Sequence, residues 1–353
     1  MVSSASRIIY VLHKKGENSH YTGLVALAER EGMQLKFREF SILGRTIKAI
    51  FKCNGAMYVK QWINLFFLVG LLFTKNKKVV LGIAPFDYKL LSVLIFLRGH
   101  QVYYHTSWTS WDGSYYPKKK FVGKRVKNKW KQFLEETAEH IFAVSGKTKE
   151  ELLANYNIKK TSISVVYHTV NSNFFTDFTV EKKANSFIYV GRLLKEKGII
   201  SLVTFFEKHP DLSFTIVGSG SEEETVKMFS DKCENINYLG YVSDKDKLAK
   251  LYREHTFLVM NSQKTKTWEE LFGMAIVEAM ACKTIPLATL HSGPKEIVTS
   301  GVNGFLIEED RFILFLESEL GTINIPSLQN AAYEIAQLYT EKEIARRWEA
   351  ILV

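Results

Sequence analysis

The sequence predicts an α/β protein built from two doubly wound domains. Three observations carry this. Strand-like and helix-like segments alternate through both halves of the 353 residues, and such alternation builds parallel sheets flanked by helices. A polar stretch, residues 171–184, separates the two series. The charge also changes sign there: residues 1–170 hold 27 Lys+Arg against 11 Asp+Glu, net +16, and residues 171–353 hold 20 against 26, net −6. A basic half joined to a mildly acidic half points to domains with different partners.

The first half reads in order. Residues 7–12 form a strand, 21–31 a helix stopped by Gly32, and 34–40 a strand with partial alternation. Residues 62–73 are nearly all apolar between Lys60 and Lys75. The run is shorter than the roughly 20 residues of a spanning helix. It is expected to be a buried helix, with a helix lying on a membrane as the rival reading. Strand 79–83, helix 88–98 ended by Gly99, strand 101–105, strand 141–144 and helix 148–155 complete the half. Its segment 108–131 interleaves Trp108, Trp111, Tyr115, Tyr116, Phe121 and Trp130 with Lys118, Lys119, Lys120 and later cations. Three readings stand: a stack for nucleic-acid bases, an anchor in an anionic headgroup layer, or a solvated basic stretch over packed aromatics.

The second half opens with a strand near Phe187, followed by strand 214–217. Gly218-Ser-Gly220 then reads as a tight turn or a phosphate cradle. Glu222-Glu-Glu224 reads as an acidic first turn of a helix. Asp244-Lys-Asp246 spells a metal-binding D-x-D, but a helical run, 248–252, follows Ser243, so the segment reads as a helix cap with acids in its first turn. The three cysteines, Cys53, Cys233 and Cys282, lack metal-like spacing and suggest a reducing compartment. The apolar run 8–12 is too short for a secretory leader.

Chemistry concentrates in Trp268-Glu-Glu-Leu-Phe-Gly-Met-Ala-Ile-Val-Glu-Ala-Met-Ala281. Gly273 breaks the chain and a short helix follows it. Glu270 thus lies before a helix N-terminus and Glu278 inside the helix. Open N–H groups at that terminus attract anions. Carboxylates on either side suit a ligand with both phosphates and hydroxyls, such as a nucleotide sugar. Arg192 and Lys197 follow the strand at 186–190, on the edge where open α/β sheets bind ligands.

These segments resemble the donor domain of the family-4 retaining glycosyltransferases, the glycosyl transferases group 1, which have the GT-B fold. The matching pieces stand in family order over residues 187–307. They are Val190-Gly-Arg-Leu-Leu-Lys-Glu-Lys-Gly198, Phe214-Thr-Ile-Val-Gly-Ser-Gly220, Asn237-Tyr-Leu-Gly-Tyr-Val242, Glu270-Leu-Phe-Gly to Glu278-Ala-Met-Ala, Ser292-Gly-Pro-Lys-Glu-Ile-Val298 and Gly301-Val-Asn-Gly-Phe-Leu306. The resemblance implies two Rossmann-like domains facing across a cleft: 1–172 for the acceptor, 173–328 for the donor, and a helical segment 329–353 returning to the first. It implies that Arg192 and Lys197 bind the donor diphosphate and that Glu278 holds the ribose hydroxyls. It sets Glu270, with the backbone of Phe272, Gly273 and Met274, against the transferred sugar, and adds Gly191 and Tyr241 to the donor contacts. His105, at the end of strand 101–105, stands where relatives carry a histidine that contacts the donor. The loop Lys15-Gly16-Glu17 has one glycine where many relatives have a pair, and stays unassigned.

The expectation is a retaining, metal-independent hexosyltransferase with no cofactor beyond its nucleotide-diphosphate sugar. Its acceptor would be a lipid-linked or membrane-associated glycan, as in bacterial surface polysaccharide (O-antigen, capsule or lipopolysaccharide) assembly. The basic first half would rest on an anionic membrane, which favours the membrane reading of segment 108–131 over nucleic acid. The protein would then be cytoplasmic and peripheral on the inner face of the cell membrane. Two alternatives remain at this level: a nucleotide-sugar epimerase of the same architecture, and a non-catalytic basic protein binding membrane or nucleic acid.

Overall fold

The computed structural model describes all residues except 1–7, 15–17, 52, 117–121, 176–180, 267 and 323. The loop Lys15-Gly16-Glu17, Lys118, Lys119, Lys120 and Phe121 lie outside the described residues. The chain divides into two units, Met1–His168 with Ile344–Val353, and Thr169–Glu343.

Among the described residues, the first unit holds β1 (Ile8–His13), β2 (Gln34–Glu39), β3 (Lys78–Gly82), β4 (Gln101–Thr106), β5 (His140–Ala143) and β6 (Ile163–Val165). They form one parallel sheet in the order β2-β1-β3-β4-β5-β6. Its helices are α1 (Thr22–Arg30), α2 (Ile42–Phe51), α3 (Gly55–Leu72), α4 (Leu90–Phe96), α5 (Lys124–Gln132) and α6 (Gly146–Asn155). Alternate strand residues serve opposite faces. Ile9, Val11, Val80 and Phe142 join one core with Trp348; Tyr10, Leu12, Leu81 and Tyr104 join the other with Trp111 and Trp130. Both faces are covered, so the strands read as continuous apolar runs rather than alternating ones.

Two expectations about this unit are corrected. Among the described aromatics of segment 108–131, Trp111, Tyr116 and Trp130 turn inward and Trp108 and Tyr115 are half-buried. Trp111 and Trp130 are buried, and the Trp130 ring lies 6.0 Å from Phe86 and 5.6 Å from Tyr104. The Trp111 indole N–H donates to the Trp108 carbonyl at 2.6 Å. Cations of α5 such as Lys124 and Lys127 stay exposed, so this is the basic stretch over packed aromatics. The run 62–73 is helical but not buried: only 22% of the window Gly55–Leu72 is buried, and Phe66 and Phe73 are 69% and 83% exposed. Gln61 and Asn64 take the inward positions instead.

The second unit repeats the architecture with β7 (Lys183–Val190), β8 (Ser213–Val217), β9 (Ile236–Tyr238), β10 (His255–Met260), β11 (Ile285–Thr289) and β12 (Phe305–Ile307). Its parallel sheet runs β12-β11-β10-β7-β8-β9. Helices α7 (Ile199–Lys208), α8 (Glu223–Lys232), α9 (Lys245–Glu254), α10 (Met274–Ala281), α11 (Ser292–Lys295), α12 (Phe312–Ser318) and α13 (Ile325–Ala336) surround it. Strand order reverses between β7 and β10, and such a switch point opens a crevice at the carboxyl ends of the strands. Lys182 ties two helix ends together: its Nζ donates to the carbonyls of Tyr252, Arg253, His255 and Cys282, at the C-termini of α9 and α10. Burial lowers the Lys182 pKa to about 8, so the group is still a cation at pH 7, and both helix dipoles favour that charge.

The helical pattern near the C-terminus breaks at residues 337–340 and resumes as α14 (Glu341–Arg347). The 329–353 segment is therefore divided. Residues up to Glu343 stay with the second unit, where α13 packs on α10, and Ile344–Val353 joins the first, where Trp348 is buried.

Candidate functional site

The loop after β7 is shaped by glycines. Gly218 has φ +149°, and a Cβ there would lie 1.8 Å from the Gly191 carbonyl oxygen. The amides of Gly191 and Leu193 donate to the carbonyls of Val217 and Ser219 at 3.0 and 2.9 Å. Gly218 thus permits close approach of the loops after β7 and β8; only a residue without a side chain fits. Gly198 has φ +64°, and its Cβ would meet the Asn261 carbonyl oxygen at 2.0 Å. That contact seats the β7 loop against the end of β10, across the switch point.

The juxtaposition brings Lys197 and Glu270 together, 73 residues apart in sequence. Lys197 Nζ forms an ion pair with Glu270 Oε2 and lies 4.8 Å above the Trp268 ring. Both side chains are largely enclosed, at 10% and 15% exposure, so water screens the pair less than a surface pair. The Glu270 backbone is held from both sides. Its N–H donates to His291 Nδ1 at 3.0 Å, and its carbonyl accepts from the Gly293 amide at 2.9 Å. Because Nδ1 accepts, the His291 proton sits on Nε2, which donates to Glu309 at 2.9 Å. Gly293 is required here too: a Cβ would lie 2.3 Å from the Phe272 nitrogen.

Gly273 adopts the left-handed conformation, φ +89°, and opens α10 without a side-chain cap. The first intrahelical donors are Ile276 and Val277, both to the Gly273 carbonyl. The N–H groups of Met274 and Ala275 are therefore left to an incoming acceptor. One turn on, Glu278 is buried, with Oε1 at 3.3 Å from Lys245 Nζ and Oε2 accepting from the Tyr252 hydroxyl at 3.3 Å. Burial pushes its carboxyl above the usual range despite Lys245 and Tyr252. Phe272 is buried 5.9 Å from the Tyr339 ring. Arg192 is exposed and Tyr241 is 75% exposed on the loop after β9. The structure thus gathers Lys197, Glu270 and the Gly273 terminus directly, with Glu278 in the first turn and a half of the same helix.

Asp244 acts as the N-cap of α9, its Oδ1 accepting from the amides of Asp246 and Lys247 at 2.9 and 3.2 Å. The cap is Asp244 rather than the Ser243 implied by the spacing, and Asp246 accepts from Asn173 at 2.6 Å. Sequence reasoning did not find His291, Lys245, Tyr252 or Trp268. His291 precedes the Ser-Gly-Pro motif directly, a signal that was available. Lys245 and Tyr252 reach Glu278 only through the fold.

The first unit has its own cavity, about 440 Å³, at the carboxyl ends of β1, β3 and β4. His13, Lys14, His20, His105 and His168 line it. His105 sits 4.9 Å from the Tyr21 ring and 5.3 Å from Trp348. Burial, then the neighbouring His168, His20 and His13, hold its pKa well below the ordinary value. Burial and His20 lower His168 to about 4. Both are neutral imidazoles near pH 7, able to donate or accept a hydrogen bond but not to supply charge.

Residues 171–315 match the family of glycosyl transferases group 1. An uncharacterized glycosyltransferase of Methanocaldococcus jannaschii is 30% identical over 207 residues, 58% of this chain and 55% of that protein. The capsular polysaccharide biosynthesis glycosyltransferase CapM of Staphylococcus aureus is 24% identical over 237 residues, 61% of this chain and 60% of that protein. The matched region spans about half the length of the first of these curated relatives. In fold, the chain is similar to the lipopolysaccharide outer core galactosyltransferase WaaB, with TM-score 0.65, 17% identity, and 98% and 99% of the two chains covered. It is also similar to Anabaena Alr3699/HepE in complex with UDP-glucose, with TM-score 0.66, 15% identity, and 96% and 97% covered. The fold is GT-B.

Proposed function

With residues 171–315 forming a glycosyl transferases group 1 domain, we propose that the protein is a retaining glycosyltransferase that takes a nucleotide-diphosphate sugar in its second unit. The observation that carries this reading is the group at the β7/β10 switch point: Lys197 paired with Glu270, the open N-terminus of α10 and the buried Glu278. The α10 amides and Lys197 suit a diphosphate, Glu278 suits the ribose hydroxyls, and Glu270 suits the sugar. Arg192, exposed on the same loop, adds a second cation. WaaB and CapM, named for lipopolysaccharide and capsule, favour a lipid-linked or membrane-associated glycan as acceptor in surface polysaccharide assembly. The protein would work on the inner face of the cell membrane, with the basic first unit against anionic lipid.

In the proposed reaction the bond from the sugar C1 to the β-phosphate oxygen breaks. The acceptor oxygen bonds C1 on the same face, and the acceptor proton passes to the departing phosphate. Charge grows on the diphosphate, so Lys197 and Arg192 stabilise the transition state more than the ground state. Arg192 and Lys197 are proposed to supply the charge that a metal ion would otherwise supply to the diphosphate. His105 is proposed to orient donor or acceptor as a neutral hydrogen-bonding group. Calorimetry with a panel of UDP and GDP sugars tests the reading. Binding of one donor, with slow donor hydrolysis that retains the anomeric configuration, supports it. No binding across the panel, or epimerised donor without acceptor, refutes it.

A further inference from the structure

Helix α3 is turned inside out for a domain surrounded by water. Its inward positions, Gln61, Asn64, Leu68 and Leu71, begin with two amides. Its outward stripe is Trp62, Phe66, Val69 and Phe73, at 44, 69, 40 and 83% exposure, spaced as one helical face. A buried carboxylate fixes this orientation. Glu39, at the end of β2 and 1% exposed, accepts from Gln61 Nε2 at 3.0 Å, and its own N–H donates to Asn64 Oδ1 at 3.2 Å. Arg45 and Lys60 pair with its other oxygen at 2.7 and 2.9 Å. Rotating α3 to hide its apolar side would take Lys60 and Gln61 from the Glu39 carboxylate and Asn64 from its amide, leaving a buried charge to Arg45 of α2, and losing partners of a buried charge is costly. The chain therefore keeps its polar contacts inside and its large apolar side chains outside, where the Trp62 ring lies 6.2 Å from Tyr58 and 6.0 Å from Phe66, and Phe51 of α2 is 83% exposed as well. A contiguous patch of this kind marks an interaction surface.

The charge around the patch selects the partner. From Glu39 to Phe86 the sequence has seven Lys+Arg, from Arg45 to Lys78, against one carboxylate, that of Glu39, which is buried and takes up Arg45 and Lys60. A second copy would set like charge against like across a two-fold interface. An anionic lipid surface supplies both the apolar layer and the opposite charge.

We propose that α2 and α3 form a monotopic membrane anchor, with the stripe from Trp62 to Phe73 entering the headgroup–acyl boundary of an anionic bilayer. This deepens, and rests on, the reading that the acceptor is membrane-associated. It moves the anchor from segment 108–131, whose Trp111, Tyr116 and Trp130 are core, to α3. The helix is 18 residues long, yet its inner face is tied to β2 within a folded unit, so it lies along the surface rather than crossing it.

Vesicle co-sedimentation of the full chain tests this, with vesicles of phosphatidylcholine alone and of phosphatidylcholine with phosphatidylglycerol. Binding is expected only with phosphatidylglycerol, weakening with salt. Brominated acyl chains should quench part of the tryptophan emission, and Trp62→Phe should remove that part. The double variant Phe66→Ser/Phe73→Ser should lower partitioning by about tenfold or more, while Lys124→Ser/Lys127→Ser on α5 has a smaller effect. No vesicle binding overturns the proposal. So does a wild-type dimer by light scattering that the double phenylalanine variant abolishes, or quenching unchanged in Trp62→Phe. Donor calorimetry on the same samples separates the two readings. Donor binding without vesicle binding sinks only the anchor; vesicle binding without donor binding sinks only the transferase reading.

Discussion

Replacing Glu278 by Gln should weaken donor binding while leaving the fold as stable or more so. The carboxylate is buried among Lys245 and the Tyr252 hydroxyl, each at 3.3 Å. Two ribose hydroxyls donating to a carboxylate contribute roughly 1.5–3 kcal/mol each, against roughly 0.5–1.5 for a neutral acceptor, and the amide offers only one acceptor oxygen. The expected loss is about 2–4 kcal/mol, on the order of thirtyfold or more in Kd. Stability moves the other way. Burial raises the Glu278 carboxyl, so the folded state holds the proton more tightly than the unfolded chain. Between the ordinary and the raised value, stability falls as pH rises, and above the raised value the whole deficit is present. The amide removes that deficit. Lys245 loses a partner, but its side chain is 50% exposed and water replaces the contact at little cost. Calorimetry measures the affinity and thermal melting the stability. Wild-type affinity should also drop as pH falls through the raised value, and the variant should lose that dependence. Unchanged affinity in a folded variant would refute the ribose role; a melting point several degrees lower at pH 7 would refute the burial argument.

Lys197→Ala should lower turnover by on the order of 10²–10³ with a smaller change in KM, because leaving-group charge grows in the transition state. Equal loss in kcat/KM through KM alone would show that Lys197 only binds. Activity should survive EDTA, and loss restored by manganese or magnesium would show that Arg192 and Lys197 do not carry the charge. Lys182→Met leaves buried carbonyls at the ends of α9 and α10 without their donor, at roughly 1–3 kcal/mol for each group left unsatisfied. The urea midpoint should therefore fall clearly, and an unchanged midpoint would mean the helix ends are satisfied without it.

The sequence by itself determined the alternation of strands and helices, the stops at Gly32 and Gly99, and the break at Gly273, because these depend on local backbone preference. It also exposed the cluster from Glu270 to Glu278, since four to eight residues of spacing around a helix start is a local fact. Tertiary structure alone decided which distant groups meet. Lys197 reaches Glu270 only once the sheet order sets β7 beside β10, and Lys245 and Tyr252 reach Glu278 only once α9 packs on α10. Burial of aromatics was equally hidden. Trp130 lies among lysines in sequence, but the helical turn of α5 sends its cations outward and Trp130 inward. The orientation of α3 went against composition for a related reason. Its apolar residues run almost all round the helix, so hydropathy names no inner face, and the choice fell to Glu39, whose buried carboxylate takes Gln61 as donor and whose backbone N–H takes the Asn64 side-chain oxygen as acceptor.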